Sequence, residues 1–204
     1  MPHPIAFIHL PRTGGSSMGE AIKTRYEGRR YKVKVSAVLP ADLAAAIPPR
    51  VEIIYGHMPY GLHEQLPVRY ATVLREPVSR ALSQYRAYQL QKAQRGQAVD
   101  MDDFMKSDSW VSVQTRKLSG LPGYPNAESL ARAKRHLETF EVVGFFEDLD
   151  GFAARIGLAT PLPHVDNAGP SPRPDPTPQQ LDRIRARNAL DTELYEWALA
   201  KFGG

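Results

Sequence analysis

Short apolar runs alternate along this chain with longer stretches whose apolar positions recur at helical spacing. Ile5 to Leu10 is the first run, dominated by β-branched and aromatic residues and cut off by a Pro-Gly loop, so it predicts a buried strand. A helix is expected from about Ser16. Val51 to Tyr55, Tyr70 to Leu74 and Val142 to Phe146 have the same character and predict three further strands with helical segments between them. Pro77 suits a first helical turn, and Ala81, Leu82, Tyr85 and Tyr88 then follow at helical spacing, which predicts a helix to Gly96. The proline-rich stretch from Pro161 to Pro178 must be a loop, and Pro178 to Phe202 reads as one closing amphipathic helix. This alternation of strand and helix implies an α/β fold with a central parallel sheet flanked by helices. No internal repeat is present.

Length and composition narrow the picture. The 204 residues suffice for one domain spanning 1–204, and too little chain follows the proline-rich loop for a second, so that loop is expected to be a flap. The 26 Lys and Arg residues exceed the 22 Asp and Glu by four, an excess that favours an anionic ligand without demanding nucleic acid. Cysteine is absent, which excludes disulfides and thiolate metal sites. The start lacks a cleavable apolar segment, and no apolar run approaches the ~20 residues that cross a bilayer, so no membrane anchor and a cytoplasmic location are expected.

Candidate chemistry begins where the first strand meets the first helix. In Leu10-Pro-Arg-Thr-Gly-Gly-Ser-Ser17, successive backbone N–H groups and the positive helix end can converge on an anion. Gly14 and Gly15 permit close backbone approach, Arg12 adds a permanent charge and a planar donor fork, and Thr13, Ser16 and Ser17 add hydroxyl donors. An ordinary turn followed by a helix N-cap has similar composition. The nucleoside triphosphatase loop G-x-x-x-x-G-K, followed by Ser or Thr, is a different order, because here the cation precedes the glycines.

That arrangement, a Pro, then Lys or Arg, then Thr-Gly-Gly, then Ser or Thr and a Ser, resembles the carbohydrate sulfotransferases. The likeness is to the uronyl 2-O-sulfotransferase branch and its short bacterial relatives. The resemblance implies a P-loop-like three-layer fold and 3′-phosphoadenosine 5′-phosphosulfate as sulfuryl donor, with residues 12–17 as the 5′-phosphosulfate loop. Thr72-Val-Leu-Arg-Glu-Pro-Val-Ser-Arg-Ala-Leu-Ser83 is similar to the family's 3′-phosphate element, so Arg75 and Ser83 are carried over as 3′-phosphate ligands. A strand-end Arg reaches a phosphate bidentately, and a Ser on the next helix adds a donor. The plain alternative makes Arg75 an ion-pair partner of Glu76, which stands where the family usually has Asp. Arg80 reads equally well as a ligand or a solvated helix charge. Weaker likenesses cover Gln114 to Gly120, Val143 to Leu149 and Asp191 to Phe202; Arg116, Asn167, Ser171 and Arg173 are lesser nucleotide-binding candidates.

Sulfuryl transfer needs a held acceptor hydroxyl, a proton acceptor and positive charge at the leaving phosphate. Gly56-His57 resembles the Gly-His segment whose His is the catalytic base of the 2-O-sulfotransferases, so His57 is the candidate base, with Arg12 stabilising the leaving group. Tyr55 stands where relatives often carry a second His. Glu20, Glu64 and His63 are the rival bases. The cluster Lys23, Arg25, Arg29, Arg30, Lys32 and Lys34 is either a solvated face or a receiver for an anionic acceptor. The six histidines are scattered, and no metal is expected. The expected partners are therefore the donor and a hydroxyl acceptor such as a glycan or small molecule. The competing readings are a magnesium-dependent, nucleotide kinase-like phosphotransferase and a nucleotide-binding module without catalysis.

Overall fold

The computed structural model describes residues 3–34, 39–165 and 176–203. Its centre is an all-parallel sheet of β1 (Ile5–Ile8), β2 (Arg30–Val33), β3 (Ile53–Gly56), β4 (Arg69–Leu74) and β5 (Val142–Phe145), in the spatial order β2-β3-β1-β4-β5. The four expected strands are all present. β2 is an addition that the apolar pattern did not signal, because of its residues Arg30, Tyr31, Lys32 and Val33 only Val33 is buried. Charged edge strands of this kind discourage further pairing.

Every residue of β1 is buried, because both faces of the sheet are covered. Ile5 and Phe7 point into a layer with Met18 and Ile22 of α1 (Gly15–Arg25) and Phe152 of α7 (Leu149–Arg155). Ala6 and Ile8 point the other way, toward Leu118 of α5 (Val113–Ser119), Leu130 and Leu137 of α6 (Ala127–Leu137) and Leu194 of α9 (Ala189–Phe202). The period-two alternation of a strand thus feeds two cores at once. A third cluster joins α3 (Pro77–Ala93), α4 (Met101–Met105) and α8 (Pro178–Arg187) around the fully buried Trp110. The short α2 (Leu43–Ala46) lies in the β2–β3 connection.

The expected single closing helix is in fact two. α8 and α9 meet at the buried Asn188, whose amide accepts from the Ser112 N–H at 3.0 Å and donates to the Ile184 carbonyl at 2.9 Å. Satisfying a buried side-chain amide there outweighs helical continuity. Among the described residues no helix is long and apolar enough to cross a membrane.

The strand order places a switch point at β1: the chain leaves it toward β2 and β3 on one side, and β4 and β5 lie on the other. Ligands of open parallel sheets bind in the crevice outside the strand ends at such a point. In the layer under α1 and α7, the Phe152 ring lies 5.5 Å from that of Phe7, tilted by 42°, and a Cβ on Gly144 would fall 2.5 Å from the Phe152 ring. Phe152→Ala should therefore cost about 3–5 kcal/mol in urea unfolding; a loss well under 1 kcal/mol would show that this layer does not hold α7 to the sheet.

Candidate active site

The loop after β1 is shaped by two left-handed residues, Arg12 at φ 71° and Gly14 at φ 83°. Glycine adopts that conformation freely, whereas at Arg12 it costs on the order of 1–2 kcal/mol. The buried Thr13 hydroxyl donates to the Leu10 carbonyl at 2.8 Å. Its side chain therefore braces the turn, and the expected hydroxyl contact to a ligand passes to Ser16 and Ser17, which line the cleft. A Cβ on Gly15 would fall 1.8 Å from the His9 ring, and one on Gly14 2.5 Å from Leu149, so neither position admits a side chain without displacement. α1 starts at Gly15 with no side-chain cap and no acidic residue in its first turn. Its positive end therefore faces the cleft with no acidic residue in its own first turn.

A cleft of about 580 Å³ opens over this loop and is bordered by Gly14, Gly15, Ser16 and Ser17, by Arg12, Arg75 and Ser83, and by His57. Arg75 leaves the end of β4 and donates through Nη1 to the Arg12 carbonyl and through Nη2 to Ser79 Oγ, both at 2.9 Å. Its guanidinium lies 4.0 Å over the Phe146 ring, and its buried Nε has no partner. Arg12 Nε donates to Ser83 Oγ at 3.0 Å, so the two phosphate elements named from the sequence touch each other. Burial holds both guanidinium pKa values below their ordinary range, aided by Arg86 at Arg12 and by Arg12 at Arg75. Among the described residues no carboxylate forms an ion pair with either. The two cations are desolvated and mutually repelling, a setting that favours an incoming anion.

The alternative readings of two neighbouring charges do not hold. Glu76 does not form an ion pair with Arg75 but caps α3, accepting from the N–H groups of Val78 at 2.9 Å and Ser79 at 2.6 Å. A carboxylate at a helix N-terminus satisfies otherwise unpaired donors. Arg80 is neither a solvated charge nor a lining residue, since it is fully buried and donates through Nη2 to the Trp110 carbonyl.

His57 follows β3 and sits at the edge of the same cleft. Its Nδ1 is 2.9 Å from the His9 carbonyl, which can only accept, so Nδ1 carries the proton and Nε2 is the free base. Lys117 Nζ holds the His57 carbonyl at 2.8 Å. Burial lowers the His57 pKa, the His9 carbonyl opposes that shift, and Lys117 and Lys32 add to it. The neutral form is thereby favoured near neutrality.

A second imidazole stands beside His57, from the residue that follows β1. The His9 ring lies 4.4 Å from that of His57, tilted by 30°. The signal is weak in the sequence: His9 and His57 each follow a strand end, but only the register Ile8↔Gly56 makes them neighbours. Burial first, and then His57, Lys32 and Arg12, push the His9 pKa down to about 3.

A second cavity of about 500 Å³ shares His9, Gly15, Ser16 and His57 with the cleft and adds Glu20, Lys23, Lys32 and Lys34. Part of the basic cluster is thereby brought to the site. Arg25 instead donates to the Gly157 carbonyl at 3.2 Å, and Arg29 pairs with Glu52. Of the rival bases, Glu20 is exposed, pairs with Lys23 and lines this second cavity. His63 and Glu64 lie exposed in a 3₁₀ turn, Leu62–Glu64, and line neither cavity. Arg116 donates to the Ser109 carbonyl at 3.2 Å and does not line the cleft. Asn167, Ser171 and Arg173 lie outside the described residues.

No protein-family model matches the sequence, and no curated protein does. Among solved structures, the fold is similar to that of the sulfotransferase from Alicyclobacillus acidocaldarius, with a TM-score of 0.53 at 15% identity over 98% of this chain and 96% of that one. The similarity extends over the whole length of both chains and is one of fold: a parallel α/β sheet flanked by helices.

The buried imidazole has a consequence for stability. His9 stays neutral in the folded protein to about pH 3, whereas in the unfolded chain it takes up a proton below about 6.5. Its contribution is complete above that value and is lost as pH falls through the window, at up to about 1.4 kcal/mol per pH unit. Urea midpoints measured from pH 7 to pH 4 should therefore fall less steeply in His9→Asn than in the parent; parallel slopes would mean that His9 is solvated in the folded state.

Proposed function

We propose that this chain is a sulfotransferase that takes the sulfuryl group of 3′-phosphoadenosine 5′-phosphosulfate and transfers it, within a single domain, to an acceptor hydroxyl. The observation that carries the reading is the meeting of Arg12, Arg75 and Ser83 with the uncapped start of α1 in one cleft, beside a histidine whose free nitrogen is Nε2. The fold shared with a sulfotransferase supports it.

The donor is a substrate with two anionic ends, and the cleft suits both. Residues 12–17 would hold the 5′-phosphosulfate through backbone N–H groups, Ser16 and Ser17, and the Arg12 guanidinium. Arg75 and Ser83, which both line the cleft, would hold the 3′-phosphate. The donor supplies an electrophilic sulfur bonded to a good leaving group, adenosine 3′,5′-bisphosphate.

His57 takes the acceptor's proton on Nε2 as the oxygen bonds to sulfur and the sulfur–phosphate oxygen bond breaks. Arg12 and the start of α1 stabilise the negative charge that collects on the departing phosphate. Charge and hydrogen bonding suffice at that position, so an Arg serves where relatives often have Lys. The second cavity, reached past His9 and His57, is the acceptor's approach. Lys32 and Lys34 there, with Lys23 paired to Glu20, favour a hydroxyl compound that carries negative charge, such as an acidic glycan of the kind used by the uronyl 2-O branch.

Three measurements test this reading. Adenosine 3′,5′-bisphosphate should raise the melting temperature more than ATP with magnesium does; the reverse order would favour a kinase-like phosphotransferase. In sulfate transfer to a panel of glycans, phenols and small metabolites, Arg12→Lys should keep appreciable activity while Arg12→Ala loses about 100-fold or more. His57→Ala should lose about 100-fold to 10,000-fold in turnover with nucleotide affinity nearly unchanged. Because burial depresses its pKa, the acid limb of the parent's rate profile should fall below the ordinary histidine value of about 6.5. A loss in Glu20→Gln with full activity in His57→Ala would move the proton-accepting role to the carboxylate.

A further inference from the structure

We infer that Gln114, held in place by Asp191, is a positioning residue that sets Arg75 for anion binding, so that the C-terminal helix α9 governs the affinity of the cleft. The inference rests on the reading of Arg75 as a phosphate ligand.

Arg75 stands one residue past the end of β4, where the strand ladder no longer holds the backbone. The fully buried Gln114 replaces the ladder there. Its Nε2 donates to the Arg75 carbonyl at 2.9 Å and its Oε1 accepts from the Arg75 N–H at 3.0 Å. Only a side chain with a donor and an acceptor in one plane can close both contacts, and among the twenty residues that geometry belongs to the carboxamides.

Gln114 is itself fixed from behind. The fully buried Asp191 of α9 accepts from the Gln114 N–H through Oδ2 at 3.1 Å and from the Thr115 N–H through Oδ1 at 2.7 Å. The first turn of α5 is thus capped by a carboxylate from a distant part of the chain, because its own N-cap, Ser112, makes no side-chain cap bond. The buried Arg80 supplies the opposite charge that partly compensates Asp191. A buried ion needs such compensation, and this one also satisfies the Gln114 and Thr115 N–H groups, which an apolar residue would leave without acceptors. The arrangement also supplies direction. The anion of α9 orients α5, the amide of α5 orients the Arg75 backbone, and the Arg75 guanidinium, fixed by the Arg12 carbonyl and Ser79, faces the cleft.

The test is calorimetric titration of the full chain with adenosine 3′,5′-bisphosphate and, as a control lacking the 3′-phosphate, adenosine 5′-phosphate. Gln114→Met, Gln114→Leu, Asp191→Asn, Arg75→Ala and the Gln114→Met, Arg75→Ala double variant are compared with the parent, each with its melting temperature. Gln114→Met should weaken the bisphosphate by about 10-fold or more and adenosine 5′-phosphate far less, and should add nearly nothing once Arg75 is Ala. Asp191→Asn should shift the same selectivity in the same direction. Gln114→Leu removes both contacts without adding a charge, so it should show the same pattern and serves if Gln114→Met does not fold. Equal losses for both nucleotides, additive losses in the double variant, or a lower melting temperature with unchanged selectivity would overturn the inference and leave Gln114 a packing residue. If Arg75→Ala weakens the bisphosphate and the Gln114 variants do not, only the positioning role falls. If Arg75→Ala changes nothing, the phosphate reading of Arg75 falls and the inference falls with it.

Discussion

Two guanidinium groups that share a partly dry cleft repel each other, and the end of β1 brings Arg12 to Arg75 in that way. The cost is contained because each group is tied down by neutral partners: Arg75 by the Arg12 carbonyl, by Ser79 and by the Phe146 face, and Arg12 by Ser83. Neutral partners hold the cations in place without cancelling their charge. Glu76 does not pair with Arg75 but caps the start of α3, so it and Glu147 offset the Arg75 charge only through space. The left-handed backbone at Arg12 follows from the same constraint, since it belongs to the turn in which the Arg12 carbonyl meets Arg75 while its side chain reaches α3.

The sheet makes this arrangement possible. With β1 in the centre and β3 and β4 on either side, three strand ends deliver the loop, His57 and Arg75 to one crevice. Both faces of β1 are packed, so the loop departs from a rigid base. Gly15 then lets α1 start against the His9 ring, and His9 in turn supplies the carbonyl that fixes the tautomer of His57. The loop after β1 and His57 are thus coupled through a single residue pair, His9 and Gly15.

Much of this was legible in the sequence wherever one residue type carries one job. Runs such as Ile5 to Leu10 and Tyr70 to Leu74 announce buried strands because β-branched and aromatic side chains suit a sheet packed on both faces. The Arg12 to Ser17 segment announces a loop at the cleft because its glycines let the chain turn from β1 into α1, and the anion cradle proposed there rests on the order of its cation, glycines and hydroxyls. What stayed hidden depends on partners distant in the chain. β2 is too charged to signal a strand, and it is one because its backbone pairs with β3. Thr13 has the chemistry of a ligand contact, yet its hydroxyl turns inward to Leu10. His9 becomes a neighbour of His57 only through strand register, and the helix break at Asn188 follows from a bond to Ser112 on another element. Periodicity reports what a segment buries; it does not report whom a buried polar group meets.

The central claim is that one cleft binds the two phosphate-bearing ends of a single nucleotide, and a crystal structure of the chain with adenosine 3′,5′-bisphosphate tests it most directly. The account predicts the 5′-phosphate on the backbone N–H groups and hydroxyls of residues 14–17 with Arg12 beside it, and the 3′-phosphate on Arg75 and Ser83, with His57 Nε2 open toward the second cavity. A nucleotide bound elsewhere, or one whose 3′-phosphate projects into solvent while Arg75 keeps only its protein partners, would contradict it.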